Sequence, residues 1–310
     1  MKASQKTWFV IVNPASGSGS ARKSWPKIKH ALERHGFNFE HTFTDYPKHS
    51  VELVENALKS NFKNFICVGG DGTLHNIVNG IFSQNMIPPQ QVKVGIIPFG
   101  TGNDWIKTHH IPKNIESAIK LIKSGYVVQQ DLGKIDFLDA DKPPVFFNNF
   151  AGVGFDGYVV SKVEKFKKIG ALSYLIGALI GVFSFKPFKS KIYVNSQEIS
   201  GDTFMVSIGI CRFSGGGMQL TNTPNPFDGL FDISIAKHFK FLDIIKNIPN
   251  LFNGKIATIK KVNSLKANNI KIHIYQKTIP FIQADGELIG SGDIEMSIIP
   301  KAFSFFVLKP

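Results

Sequence analysis

Cysteine is nearly absent: Cys67 and Cys211 are the only two in 310 residues. Both lie inside apolar, strand-like runs, so the chain has no basis for a disulfide framework or a cysteine-built zinc cluster, and a reducing, cytoplasmic setting is expected. Long hydrophobic runs are missing too. The uncharged stretch 169–185 is interrupted by Gly170, Gly177 and Gly181, and it falls short of the roughly 20 apolar residues that a spanning helix needs. The first residues lack the charged flank, long apolar core and cleavage site of a signal peptide. No GxxxxGK[ST] run occurs, which excludes a P-loop enzyme, and no HRD or DFG signature supports a protein kinase. Negative charge is scarce: 36 Lys and Arg face 23 Asp and Glu, giving +13. That excess calls for an acidic partner. The lysines are dispersed without interleaved stacking aromatics, so nucleic acid is not expected. With 28 phenylalanines beside them, an anionic membrane surface fits better, at about 1 kcal/mol per nearby basic residue.

What is present is a sequence of glycine turns. A chain of this length suits two domains, each able to bury its own core. In the first third, apolar strands at 8–12, 39–43, 64–68 and 92–98 alternate with helical patterns at 24–35, 50–59, 74–82 and 115–124. That alternation predicts a parallel sheet wrapped by helices. Three of these strands run into turns: Asn13-Pro14-Ala15-Ser16-Gly17, then Gly69-Gly70-Asp71-Gly72-Thr73, then Gly100-Thr101-Gly102-Asn103-Asp104. Ligands of open parallel sheets collect outside the carboxyl ends of the strands, so three such turns are expected to converge on one site. Glycines there let backbone N–H groups approach a phosphate, while Asp71 can face a metal-bound triphosphate and Thr73 can hydrogen-bond it.

The three motifs in this order resemble the diacylglycerol kinase and sphingosine kinase superfamily, specifically its soluble bacterial lipid kinases, over nearly the whole chain. The resemblance implies an amino-terminal α/β nucleotide-binding domain similar to those of NAD kinases and phosphofructokinases, over residues 1–133 with 301–310 returning to it. It also implies a lipid-substrate domain, an antiparallel β-sandwich, over 134–300. Carried over residue by residue, it implies that ATP is held by Asn13, Pro14, Ser16 and Gly17, by Thr44, by Gly69, Gly70, Asp71, Gly72, Thr73, Leu74, His75 and Asn76, and by Thr101, Asn103 and Asp104. Where many members have Asn-Glu after GGDGTL, this chain has His75-Asn76.

Downstream, strand-like runs at 145–149, 191–194, 203–211, 229–236, 270–276, 281–285, 294–299 and 303–308 alternate with turns, an antiparallel, sandwich-like pattern. Asp131 resembles a family aspartate that joins Asp71 and Asp104 beside the cation. The stretch 225–232 resembles the family's Asp-Gly loop, which implies a structural Mg²⁺ on the Asp228 side chain and the carbonyls of Asn225 and Leu230. The stretch Asp285-Gly286-Glu287 resembles the DGE motif, whose acid takes the proton from the lipid hydroxyl. Asp285 is the first choice of base and Glu287 the second, as base or as the group holding Asp285. Read from the residues alone, 169–185 is a buried helix or an apolar wall accepting acyl chains, with lysines on both flanks meeting anionic head groups. The expected activity is therefore ATP- and Mg²⁺-dependent phosphorylation of a lipid hydroxyl by a cytoplasmic, peripherally membrane-associated enzyme. The competing readings are a kinase of a soluble alcohol such as NAD and a silent lipid-binding module. Which lipid is used, and whether the chain forms a homodimer, the sequence leaves open.

Overall fold

The computed structural model describes residues 7–100, 103–163, 185–239, 241–276 and 279–309. The chain divides into two compact units, Met1–Gln130 with Lys301–Pro310, and Asp131–Pro300.

The first unit contains β1 (Thr7–Val12), α1 (Ser20–Arg34), β2 (Asn38–Phe43), α2 (His49–Lys59), β3 (Asn64–Gly69), α3 (Asp71–Phe82), β4 (Lys93–Pro98), α4 (Asp104–Thr108) and α5 (Ile115–Ser124). Strands β2, β1, β3 and β4 pair in that order, all parallel. β3 is buried at every position after its first, as a strand covered on both faces must be. Helices close over it through apolar stripes, Val54, Ala57 and Leu58 on α2 and Ile77, Val78 and Ile81 on α3. At Gly80 a side-chain carbon would sit 2.8 Å from Val54 Cβ and 2.9 Å from the Val51 carbonyl oxygen. Glycine is what lets α2 and α3 pack this closely. α5 is delimited by its own chemistry: the Asn114 side chain accepts from the Ser117 N–H at 3.1 Å, and Gly125 closes the helix at φ 74°.

The chain leaves this unit within β5 (Val127–Phe137) and returns within the last strand, β15 (Ile294–Phe306). The end of β15 lies parallel beside β4, pairing Ser304 with Lys93 and Phe305 with Val94. Phe305 and Phe303 pack on Trp105, with ring centroids 4.6 and 6.0 Å away. Trp105 is wholly buried, its Nε1–H donating to Gln130 Oε1 at 3.0 Å.

The second unit contains β6 (Val145–Phe147), β7 (Phe150–Gly154), α6 (Phe155–Val163), β8 (Phe188–Val194), β9 (Gln197–Gly209), β10 (Phe231–Lys237), α7 (Phe241–Asn253), β11 (Val262–Ala267), β12 (Asn269–Ile274), β13 (Phe281–Ala284) and β14 (Glu287–Ser291). The pairs among β7 to β14 are antiparallel. The long β9 pairs with three strands. Its first half pairs β8, and its second half lies between β7 and β10. Several elements differ from the sequence pattern. The runs 294–299 and 303–308 are one continuous strand, and the strand expected at 203 starts at Gln197. β7, β11, α6 and α7 lie where no element was expected. Gly152 and Gly154 read as breakers of β7, yet a side chain at Gly152 would collide with the Asp156 carboxylate, so this glycine lets α6 lie against the strand. The stretch 169–184 lies outside the described residues.

His109 packs against Trp105, tilted, and edge-on against Phe305, with ring centroids 4.5 and 4.6 Å away. Burial pushes its imidazole down to about 3, against a raising contribution from Gln130 and a further lowering one from His110. The folded protein therefore keeps this ring neutral where the unfolded chain takes up a proton. Stability is lost as pH falls from about 6.5 towards 3, at about 1.4 kcal/mol per pH unit. Denaturant titrations at pH 7 and pH 5 should show wild type losing about 2 kcal/mol more than His109→Phe. Equal losses in the two proteins would remove His109 as the cause.

Candidate functional site

In the first unit the three glycine turns meet. Asn13 N–H donates to the Val68 carbonyl at 3.0 Å and Phe99 N–H to that of Gly69 at 2.7 Å, tying the ends of β1, β3 and β4 together. Thr44 N–H donates to the Val12 carbonyl at 2.9 Å, bringing the end of β2 alongside. The Asn13 amide donates to Thr73 Oγ1 at 2.9 Å and its Oδ1 accepts from Ala15 N–H at 3.1 Å. A side-chain carbon at Gly70 would lie 3.0 Å from the Phe99 carbonyl oxygen and 3.3 Å from Asn103 Oδ1. One at Gly100 would lie 3.2 Å from Gly70 Cα, and one at Gly17 3.7 Å from Gly100 N. These turns are thus stacked backbone on backbone. Pro14 and Ser16 belong to the first of them, where Ser16 N–H closes on the Asn13 carbonyl at 3.1 Å. Gly72, Thr73, Leu74, His75 and Asn76 form the opening of α3, whose amino terminus has no side-chain cap and presents the positive end of the helix dipole. Leu74 and His75 are buried, so they contribute to this turn through backbone and packing, while Asn76 stays partly exposed. Thr101 lies outside the described residues.

Two carboxylates flank the turns. Asp71 Oδ2 accepts the Asp104 N–H at 2.7 Å, and Asp104, itself buried, pairs with Lys107 Nζ at 2.6 Å. Sequence reasoning passed over Lys107, although its spacing three positions after Asp104 on a helix was a usable signal. Beneath them the Cys67 thiol is pushed far up, first by burial and then by the Asp71 charge, so it is inert. Unobstructed backbone, a helix amino terminus and a carboxylate beside them suit a polyphosphate that arrives with its own cation.

In the second unit Asp285 and Gly286 are the two central residues of the hairpin joining β13 to β14, with φ 51° and 83°. This is the primed turn that a two-residue hairpin favours. The Asp285 carboxylate is fully engaged. Its Oδ2 accepts Asn148 N–H at 3.1 Å, and its Oδ1 accepts Asn149 and Phe150 N–H at 3.0 and 3.1 Å. Its own N–H donates to the Phe150 carbonyl at 2.8 Å. Glu287, one residue past the turn, is partly buried, and its carboxylate has no hydrogen bond or ion pair among the described residues. Asn148 and Asn149 are contacts that no sequence pattern announced.

The Asn225 to Leu230 loop is held by short bonds. Gly229 N–H donates to Asp131 Oδ2 at 2.6 Å, Asp131 N–H donates to the Pro226 carbonyl at 2.8 Å, and Leu230 N–H donates to Asp228 Oδ1 at 3.1 Å. Lys266 reaches across from β11 to Asp228 Oδ2 at 3.2 Å and Asp232 Oδ2 at 3.0 Å. Burial opposes the lysine charge, but the bonds to Asp232 and then Asp228 outweigh it and raise the ammonium above the usual lysine value. Among the described residues no cluster of three His, Cys, Asp or Glu side chains is poised for a metal, and no helix is long and apolar enough to cross a membrane.

Comparison with known proteins adds the following. Residues 7–135 match the diacylglycerol kinase catalytic domain, and residues 149–307 match the YegS C-terminal NAD kinase beta sandwich-like domain. The chain is 28% identical to a Bacillus subtilis protein named "Putative lipid kinase YtlR", over 95% of this chain and 97% of that one. It is 25% identical to a diacylglycerol kinase of Mycobacterium tuberculosis, over 97% and 94% respectively. A solved diacylglycerol kinase structure from Bacillus anthracis shares the fold, with a TM-score of 0.73 at 22% identity, covering 99% of this chain and 98% of that one.

The Asp285 geometry predicts a structural cost on removing its charge. Asp285→Asn replaces one acceptor by an amide facing N–H donors and should destabilise the chain by about 1–3 kcal/mol, read as a lower denaturant midpoint. Unchanged stability would mean that these bonds carry no net energy.

Proposed function

The chain belongs to the kinase family marked by the diacylglycerol kinase catalytic domain with a YegS-type carboxy-terminal sandwich, and we propose that it transfers the γ-phosphate of ATP to the hydroxyl of a diacylglycerol-like or sphingoid lipid. Membership makes it a phosphotransferase; the donor and acceptor are our reading. The supporting observation is the meeting of the Gly17, Gly70 and Gly100 turns at the carboxyl ends of parallel strands, where bare glycine backbone suits the approach of a phosphate. In this reading Asn13, Ser16, Gly17, Thr44, residues 69–76, Thr101, Asn103 and Asp104 hold the nucleotide. Asp71 faces the Mg²⁺ that accompanies it, an ion that when bound neutralises charge on the phosphates.

Phosphoryl transfer to an alcohol needs an in-line hydroxyl and a carboxylate able to accept its proton as the bond to phosphorus forms. The sequence favoured Asp285 for that task. With both oxygens committed to backbone N–H groups, Asp285 suits a bracing role for residues 148–150. Glu287 carries an uncommitted carboxylate one residue past the same turn, and we assign the proton to it. In a loose transition state the proton leaves late, so an ordinary carboxylate suffices once it is oriented.

Anionic membrane surface is the proposed setting. α7 exposes Leu242 and Phe252, and Lys246 and Lys255 are exposed on and beside it. Apolar insertion and attraction to anionic lipid then act together.

Incubating the protein with γ-labelled ATP, Mg²⁺ and a total lipid extract should yield labelled lipid. Glu287→Gln should lower kcat about 10²- to 10⁴-fold with its melting temperature and ATP affinity unchanged. Label appearing in NAD or another soluble alcohol, and none in any lipid, would replace the lipid reading with the soluble one.

A further inference from the structure

The family resemblance implies a structural Mg²⁺ on Asp228 and the carbonyls of Asn225 and Leu230, and the donor atoms around that loop do not suit one. All four carboxylate oxygens of Asp228 and Asp232 are engaged. Asp228 Oδ1 accepts Leu230 N–H, Asp232 Oδ1 accepts Thr223 N–H at 3.3 Å, and the two remaining oxygens accept from Lys266 Nζ. The third proton of that ammonium points at the Thr223 carbonyl, 3.4 Å away. Of the two carbonyls, that of Asn225 accepts Asp228 N–H at 3.5 Å. Register fixes the arrangement: Lys266 and Asp232 are direct partners across β10 and β11, so they share a face of the sheet.

We propose that the Lys266 ammonium is the built-in cation of this loop and stands in this chain in place of a structural divalent ion. Both solutions meet the same demand, since two carboxylates this close cannot stay charged without a positive partner. An ammonium offers three donors, which is the number of oxygens gathered here, whereas Mg²⁺ requires about six in an octahedron. The consequence reaches Asp131, because the loop that Lys266 holds presents the Gly229 N–H to its carboxylate at 2.6 Å. In this chain the position of Asp131 is set without metal.

The test reads unfolding of the full-length protein without nucleotide or lipid, so it is independent of whether the chain phosphorylates anything. Melting temperatures are compared in EDTA and in millimolar Mg²⁺ for wild type, Lys266→Met, Lys266→Arg and Asp228→Asn. Wild type and Lys266→Arg are expected to show no Mg²⁺ shift that depends on Asp228. Lys266→Met should melt about 5 °C lower in EDTA and recover part of that loss in Mg²⁺, the recovery vanishing when Asp228→Asn is added. A Mg²⁺ stabilisation of the wild type that Asp228→Asn abolishes overturns the proposal, and this holds even if Lys266→Met fails to fold. A Lys266→Met protein that melts as wild type does in EDTA overturns it equally.

Discussion

The first unit depends on backbone lying directly against backbone. Parallel strands end side by side, and the chain must turn at each end without placing a side chain where its neighbour turns. A methyl group at Gly70 would crowd the Phe99 carbonyl at 3.0 Å, and one at Gly100 would crowd Gly70 Cα at 3.2 Å. At the same turn Gly70 gives α3 no side-chain cap, so the positive end of the helix dipole is presented there. One steric constraint therefore accounts both for how the strand ends pack and for why an anion suits the place. The carboxylates follow from it. Asp71 is fixed by the N–H of Asp104 and Asp104 by Lys107, so negative charge near the turns is held in defined positions.

Acids in the second unit divide by what holds them. Asp285 and Asp131 both accept backbone N–H groups. A carboxylate tied in this way orders the loops that donate to it. Glu287 stands apart, with no partner of its own in the described residues. Motif reasoning cannot separate Asp285 from Glu287, because the letters say only that two acids flank a glycine. Hydrogen bonds separate them: the Asp285 carboxylate holds residues 148–150, while that of Glu287 holds nothing among the described residues.

What the sequence made legible was local. The parallel α/β unit followed from apolar runs of strand length alternating with helical stripes, and its three turns were marked by glycine, proline and asparagine at the strand ends. The sandwich was legible in class but not in detail. β7 was hidden because Gly152 and Gly154 look like breakers until Asp156 of α6 is seen against the first and Phe188 and the Phe204 carbonyl against the second. α7 was hidden because Pro249 and a dense apolar composition obscure its period. The continuity of β15 was hidden because Pro300 and Lys301 read as a break, although a positive φ at Lys301 absorbs the irregularity within one strand. Charge pairing was the least legible property. Lys266 lies 38 positions from Asp228, and nothing but sheet register brings them together.

That register bears on how a metal site can be replaced without altering its motif. The Asp-Gly loop keeps Asp228 and Gly229, with Pro226-Phe227 departing from the residues usual in the family, so by sequence it still resembles a cation site. Its charge is met from another strand, at a position whose only relation to the loop is to lie opposite Asp232. A lysine placed there needs no change in the loop itself, because the ammonium approaches from the sheet face and the loop backbone keeps its own bonds to Asp131 and Leu230. On that proposal the loop's cation folds with the chain instead of being acquired from solution, which removes a binding step from the loop's assembly. It also limits what the loop can respond to: a covalently held cation cannot be titrated away by a chelator, whereas a divalent ion can.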